Sequence, residues 1–99
     1  SQDMLTANNW NTCQYAVLLC MFAQVSGLEP GELVHVIADA HIYDRHIPMV
    51  EELLKREPYD APKFVMDRSI TDFYQFTTDS FALEDYRYHP FNYKIPVAV

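Results

Sequence analysis

Positive charge is scarce in this sequence: seven Lys and Arg stand against fourteen Asp and Glu, a net charge of −7. Such a chain repels phosphate backbones and anionic headgroups, which argues against nucleic acid or an anionic membrane as a partner of this segment alone. Cysteine is scarce too. Cys13 and Cys20 lie seven positions apart on one expected helix, about 10 Å along its axis and beyond disulfide reach. They read as free thiols in a reducing compartment. No CxxC or HExxH pair is present to suggest zinc. The longest apolar run, Ala16 to Ala23, falls far short of the roughly 20 residues that cross a bilayer. No charged and hydrophobic leader, internal repeat, low-complexity tract or linker occurs. These absences predict a soluble, cytoplasmic chain with no domain boundary inside residues 1–99.

What is present is apolar residues, 49% of the chain, ample for a core. From Asn11 to Val25 they nearly encircle the helical wheel, so this helix is expected to be buried on most sides, with Cys13 and Cys20 in the core. Asn8 or Asn9 is placed to cap its start, Gly27 to end it in a left-handed turn, Leu28 to fold back and Pro30 to prevent continuation. A second helix starts at Asp44 or His46, with Pro48 in its first turn and Ile47, Val50, Leu53 and Leu54 as its apolar stripe. Its polar side offers Glu51 with Lys55 and Glu52 with Arg56, each pair contributing a few tenths of a kcal/mol. Lys63 to Asp67 and Phe81 to Tyr86 read as short strands, with Ser69 to Asp79 between them as a short helix or turns. Arg87 to Val99 carries few secondary-structure signals.

The stretch Leu33 to His46, LVHVIADAHIYDRH, organises the rest. Read as a central strand, its even positions Val34, Val36, Ala38, Ala40 and Ile42 are wholly apolar and must be covered. Its odd positions end in Asp39, His41 and Tyr43, groups that need hydrogen-bond partners. A core strand with incidental polar residues accounts for this pattern. A metal site built on His35, Asp39, His41, Asp44 and His46 has suitable ligand types, but a strand puts His41 and Asp44 on opposite faces. The third reading is a nucleotide-binding strand.

That reading comes from resemblance. DAHIY, with a His three residues later, resembles the nucleotide-binding strand of thymidylate synthases. The likeness runs through Ser1 and Asp3 (SxD), Trp10 to Gln24 (WNxxxYAxLxxMxAQ), GLEPGE, Arg56 to Pro58, Pro62–Lys63, Asp72–Phe73, His89–Pro90 and the terminal PVAV. Order and gaps both match the C-terminal portion of that family. The resemblance implies a mixed α+β fold and a homodimer. It implies reductive methylation of dUMP to dTMP with 5,10-methylenetetrahydrofolate as co-substrate and no metal. Ser1, Asp3, Asn11, His41 and Tyr43 match substrate-binding positions: Ser1 the phosphate, Asp3 the pyrimidine O2 through its N–H, Asn11 the uracil ring, His41 and Tyr43 the deoxyribose 3′-hydroxyl. Asp3, Ala7, Ala98 and Val99 match folate-side positions, the last two in a tail that closes over the complex. The nucleophilic cysteine and most phosphate-binding arginines belong upstream of Ser1 or to the partner subunit, so this chain is expected to be an inactive part of a longer enzyme.

Each residue also has a plainer role. Asn11 is a good helix cap, Asp3 an exposed acid near a terminus, and Ser1 a terminal residue. A carboxamide, however, offers an acceptor beside a donor, which suits uracil and leaves cytosine unpaired. The chain departs from the family at Thr6 to Trp10, TANNW where most members have LGxPF, and at Ala38 where a glycine is usual. These departures fall nearer the folate than the nucleotide. They keep open a divergent relative such as a pyrimidine nucleotide hydroxymethylase acting on dUMP or dCMP, with a metal-dependent hydrolase as a further alternative.

Overall fold

The protein is described by a computed structural model over residues 1–96. In chain order it forms β1 (Gln2–Asp3), α1 (Asn8–Val25), β2 (Ala40–His41), a 3-10 turn at Asp44–His46, α2 (Ile47–Leu54) and β3 (Lys63–Met66). Two 3-10 turns at Phe73–Gln75 and Thr78–Ser80 then lead into β4 (Phe81–Glu84). β1 runs parallel to β2, and β3 antiparallel to β4 with Lys63 opposite Glu84 and Met66 opposite Phe81. The mixed α+β class read from the sequence is the one observed.

Local chemistry sets most boundaries. Gly27 adopts φ 70° after the C-cap Ser26, and the N–H of Leu28 reaches the Ala23 carbonyl at 2.8 Å while that of Gly27 reaches Gln24 at 3.1 Å. This pair of bonds is the Schellman arrangement, which satisfies the last carbonyls of the helix. Pro48 falls in the first turn of α2, where a missing N–H is harmless. The start of α1 differs from expectation. The cap is Ala7, whose side chain has no oxygen to offer, and the turn before it is held by Asp3, which accepts from the N–H groups of Leu5 and Thr6 at Oδ1 and from Ala7 N–H at its carbonyl. Asn8 instead accepts at Oδ1 from the Thr12 hydroxyl.

Two larger expectations are corrected. Leu33 to His46 is not a continuous strand: only Ala40–His41 pairs, with β1. A strand exists by virtue of its edge partners, and Leu33 to Ile37 have none among the described residues. Their apolar side is open, Val34 and Val36 being 77% and 84% exposed. Likewise the largely apolar α1 buries only Ala23, and Cys13 is exposed and Cys20 half-buried rather than core. Ala23 and Met66 are the buried apolar residues among those described. The radius of gyration, 16.5 Å, exceeds the roughly 13 Å of a closed domain of this length.

Contacts that do form are specific. The Gln24 amide donates to the carbonyls of Asp67 and Ile70 at 2.9 and 2.8 Å, and the Phe22 ring stacks on Phe73 at 5.0 Å, joining α1 to the loop after β3. Arg56 donates to the Pro90 carbonyl at 3.0 Å rather than pairing with Glu52. Among the described residues no helix is long and apolar enough to cross a membrane.

Candidate nucleotide site

The parallel pairing of β1 with β2 sets Gln2 beside Ala40 and Asp3 beside His41, held by Gln2 N–H to the Asp39 carbonyl at 2.8 Å and Met4 N–H to the His41 carbonyl at 2.9 Å. In-register residues of a ribbon share a face, so Asp3 and His41 stand together. Asp3 Oδ1 accepts from the N–H groups of Leu5 and Thr6, and Oδ2 accepts from the Thr6 hydroxyl at 2.6 Å. The Thr6 hydroxyl above all outweighs the opposing desolvation, the next largest influence, and with the Thr6 and Leu5 amides holds the Asp3 carboxyl below its ordinary value of 3.8. A carboxylate oxygen has two lone pairs, so Oδ2 can accept once more.

His41 turns Nδ1 toward the Asp39 carbonyl at 3.2 Å, with the Asp39 carboxylate 3.8 Å away. A carbonyl only accepts, so Nδ1 carries a proton and Nε2 of the neutral ring remains an acceptor. The Tyr43 ring meets His41 edge-on at 5.1 Å and is 40% exposed. An acceptor and a phenol therefore lie side by side in reach of solvent. That geometry suits one hydroxyl of a ligand. Tyr43 also meets the His46 ring at 5.5 Å, and His46, only 1% exposed, bonds through Nε2 to the Pro96 carbonyl at 2.9 Å.

Asn11 joins this assembly indirectly. Its Oδ1 accepts from Gln2 Nε2 at 2.9 Å, which leaves one Oδ1 lone pair and both Nδ2 donors. No hydrogen bond links it to His41 or Tyr43 among the described residues. Next to it, Thr12 bonds His35 Nδ1 at 3.2 Å, pinning the loop after α1 to the helix start. Ser1 is exposed beside β1, and Ala7 is half-buried at the α1 cap. Ala98 and Val99 lie outside the described residues. Among those described, no group of three or more His, Cys, Asp or Glu side chains is placed to hold a metal ion. His46 was read as a helix start or a metal ligand, and the structure gives it a partner 50 residues away, which no local pattern signals.

A family model for thymidylate synthase matches residues 1–99. The chain belongs to the thymidylate synthase family. It is 48% identical over 88 residues to the thymidylate synthase of Bacillus licheniformis, covering 89% of this chain and 32% of that protein. It is also 48% identical over 82 residues to that of Clostridium beijerinckii, covering 81% of this chain and 31% of that protein. The solved structure of thermostable thymidylate synthase A from Bacillus subtilis superposes with a TM-score of 0.93 at 41% identity, over 99% of this chain and 35% of that one. The chain thus spans about a third of the length of these family members.

Proposed function

We propose that this chain is the nucleotide- and folate-contacting part of a thymidylate synthase that converts dUMP to dTMP in a homodimer in the cytoplasm. The observation that carries the reading is the His41–Tyr43 pair, its rings edge-on with His41 Nδ1 turned to the Asp39 carbonyl, set beside Asp3 by the β1–β2 pairing. In this reading His41 and Tyr43 hold the 3′-hydroxyl, Ser1 meets the phosphate, and Asn11 offers its remaining lone pair to N3–H and a donor to O4. Asp3 fits a pterin N–H because Oδ2 keeps acceptor capacity beside a fixed turn. Methylenetetrahydrofolate, when bound, supplies the one-carbon unit and the reducing hydride. Ala7 lies on the folate side, and Ala98 with Val99 close the site against water.

Cys13 and Cys20 both line the open apolar groove beside Phe64, Phe81 and Leu83. The nucleophile in this reading comes from the upstream part of the family fold, and the 99 residues alone are inactive. Asn11→Asp in the full-length enzyme tests the assignment: it is expected to lower kcat/KM for dUMP about a hundredfold or more while raising activity toward dCMP. Unchanged preference overturns the role of Asn11. The TANNW segment favours one second reading, a hydroxymethylase in which water completes the reaction. Dihydrofolate formation, followed by absorbance, separates the two, because only the synthase produces it.

A further inference from the structure

We propose that His46 is a positioning residue that latches the C-terminal segment onto the nucleotide strands, coupling the tail to the sugar-binding pair. The contact stands on geometry, while its effect on turnover rests on the reading given under Proposed function. His46 is the most buried polar side chain among the described residues, at 1% exposed. Its backbone N–H bonds the Tyr43 carbonyl at 2.8 Å, which fixes it in the turn leading into α2. Since a carbonyl cannot donate, the proton is on Nε2 and points at Pro96. Nδ1 is buried and has no partner among the described residues, so the Pro96 bond is the one polar anchor this ring makes there.

The tail from Tyr86 to Pro96 has no helix or strand and is held by side chains at both ends of α2. Beyond the C-terminal end, Arg56 donates to the Pro90 carbonyl and sits over the Phe91 ring at 5.7 Å, and His89 Nε2 donates to the Glu57 carbonyl at 2.8 Å. At the N-terminal end, His46 takes Pro96. A proline has no N–H, so its carbonyl is the handle by which such a segment can be gripped. The grip at Pro96 has a second consequence. The Tyr43 ring meets both His46 and His41 edge-on. The last described residue of the tail is therefore one ring removed from the groups assigned to the nucleotide.

Two variants separate the latch from simple packing. His46→Phe keeps a ring against Tyr43 and removes the donor, whereas His46→Gln keeps an N–H of similar reach. In the full-length enzyme, limited trypsin cleavage after Lys94, measured against cleavage after Arg68, is expected to rise about tenfold in His46→Phe, as loss of one hydrogen bond allows, and to stay near wild type in His46→Gln. An unchanged ratio in His46→Phe overturns the latch. In the full-length enzyme, His46→Phe is expected to raise KM for the folate about tenfold with less than about a twofold change in KM for dUMP, and His46→Gln to restore it. A uniform fall in kcat with both KM values unchanged overturns the positioning role. If the wild-type enzyme turns over no dUMP, the proposed function fails while the proteolysis result still judges the latch.

Discussion

The β1–β2 end of the molecule and the groove between α1 and the β3–β4 hairpin are built on opposite terms. At the β1–β2 end nearly every polar group has a partner from this chain: Asp3 with Thr6, Asn11 with Gln2, His41 with Asp39, His46 with Pro96. The groove has apolar walls and no cover. Cys13, Ala16, Val17 and Cys20 of α1 face Phe64, Phe81, Ala82 and Leu83 across an open volume of about 550 Å³. Directional bonds are short-range and can be completed by residues close in sequence or by one strand pairing. Burying apolar surface takes mass, and a chain spanning a third of its relatives' length supplies little of it. The polar side chains around His41 are thus positioned by bonds within these residues, while in our reading the groove is completed by the rest of the enzyme.

The sharpest way to break that comparison is Val17→Asp, which places a charge in the groove. In the isolated chain the groove is open to water, so the change in stability is expected to stay within about 0.5 kcal/mol. In the full-length enzyme the same charge is expected to cost about 3 kcal/mol or more, because it is buried without a partner. Urea melts of both proteins check this, and equal effects would show that the groove is no cut surface. Gly27→Ala probes a site whose geometry is complete within the chain. Nothing lies within 4 Å of an added Cβ, so the penalty is the backbone's alone, about 1 kcal/mol for an L side chain at φ 70°. It should be the same in the isolated chain and the full-length enzyme.

The smallest effect concerns the polar end. Thr6→Ala removes the main cause of the low Asp3 value, and NMR titration should show the carboxyl rising toward 3.8, the ordinary value. The sign for stability follows from linkage. A depressed carboxyl stabilises the folded turn above its unfolded value, and that stabilisation disappears as pH falls below 3.8 through the folded value. Wild type should therefore lose more stability in acid than Thr6→Ala. An identical acid limb in the two proteins would mean that the turn is not held by this carboxylate.

Elements governed by neighbours in the chain are legible in the sequence. Gly27, Leu28 and Pro30 announce the end of α1, Pro48 marks the first turn of α2, and the paired β3 and β4 lie within the two short strands that the sequence predicts. The placement of His41 beside Tyr43 also followed from a two-residue spacing. Features that depend on distant partners were not legible. Leu33 to Ile37 have the composition of a strand and no edge to pair with among the described residues. Asn8 and Asn9 have the chemistry of caps, but Asp3 had taken that role for the turn before them. Arg56 was placed for Glu52 and bonds Pro90 instead.

By itself, then, the sequence determined the family, the helix ends and which side chains carry polar chemistry, because each is encoded in residue type and spacing over one or two turns of chain. Tertiary structure alone decided that Asp3 stands beside His41, that Gln2 holds Asn11 and that His46 grips Pro96. Those pairings join residues 9 to 50 positions apart, and only the folded path of the backbone brings such donors and acceptors within 3 Å or a strand's width of one another.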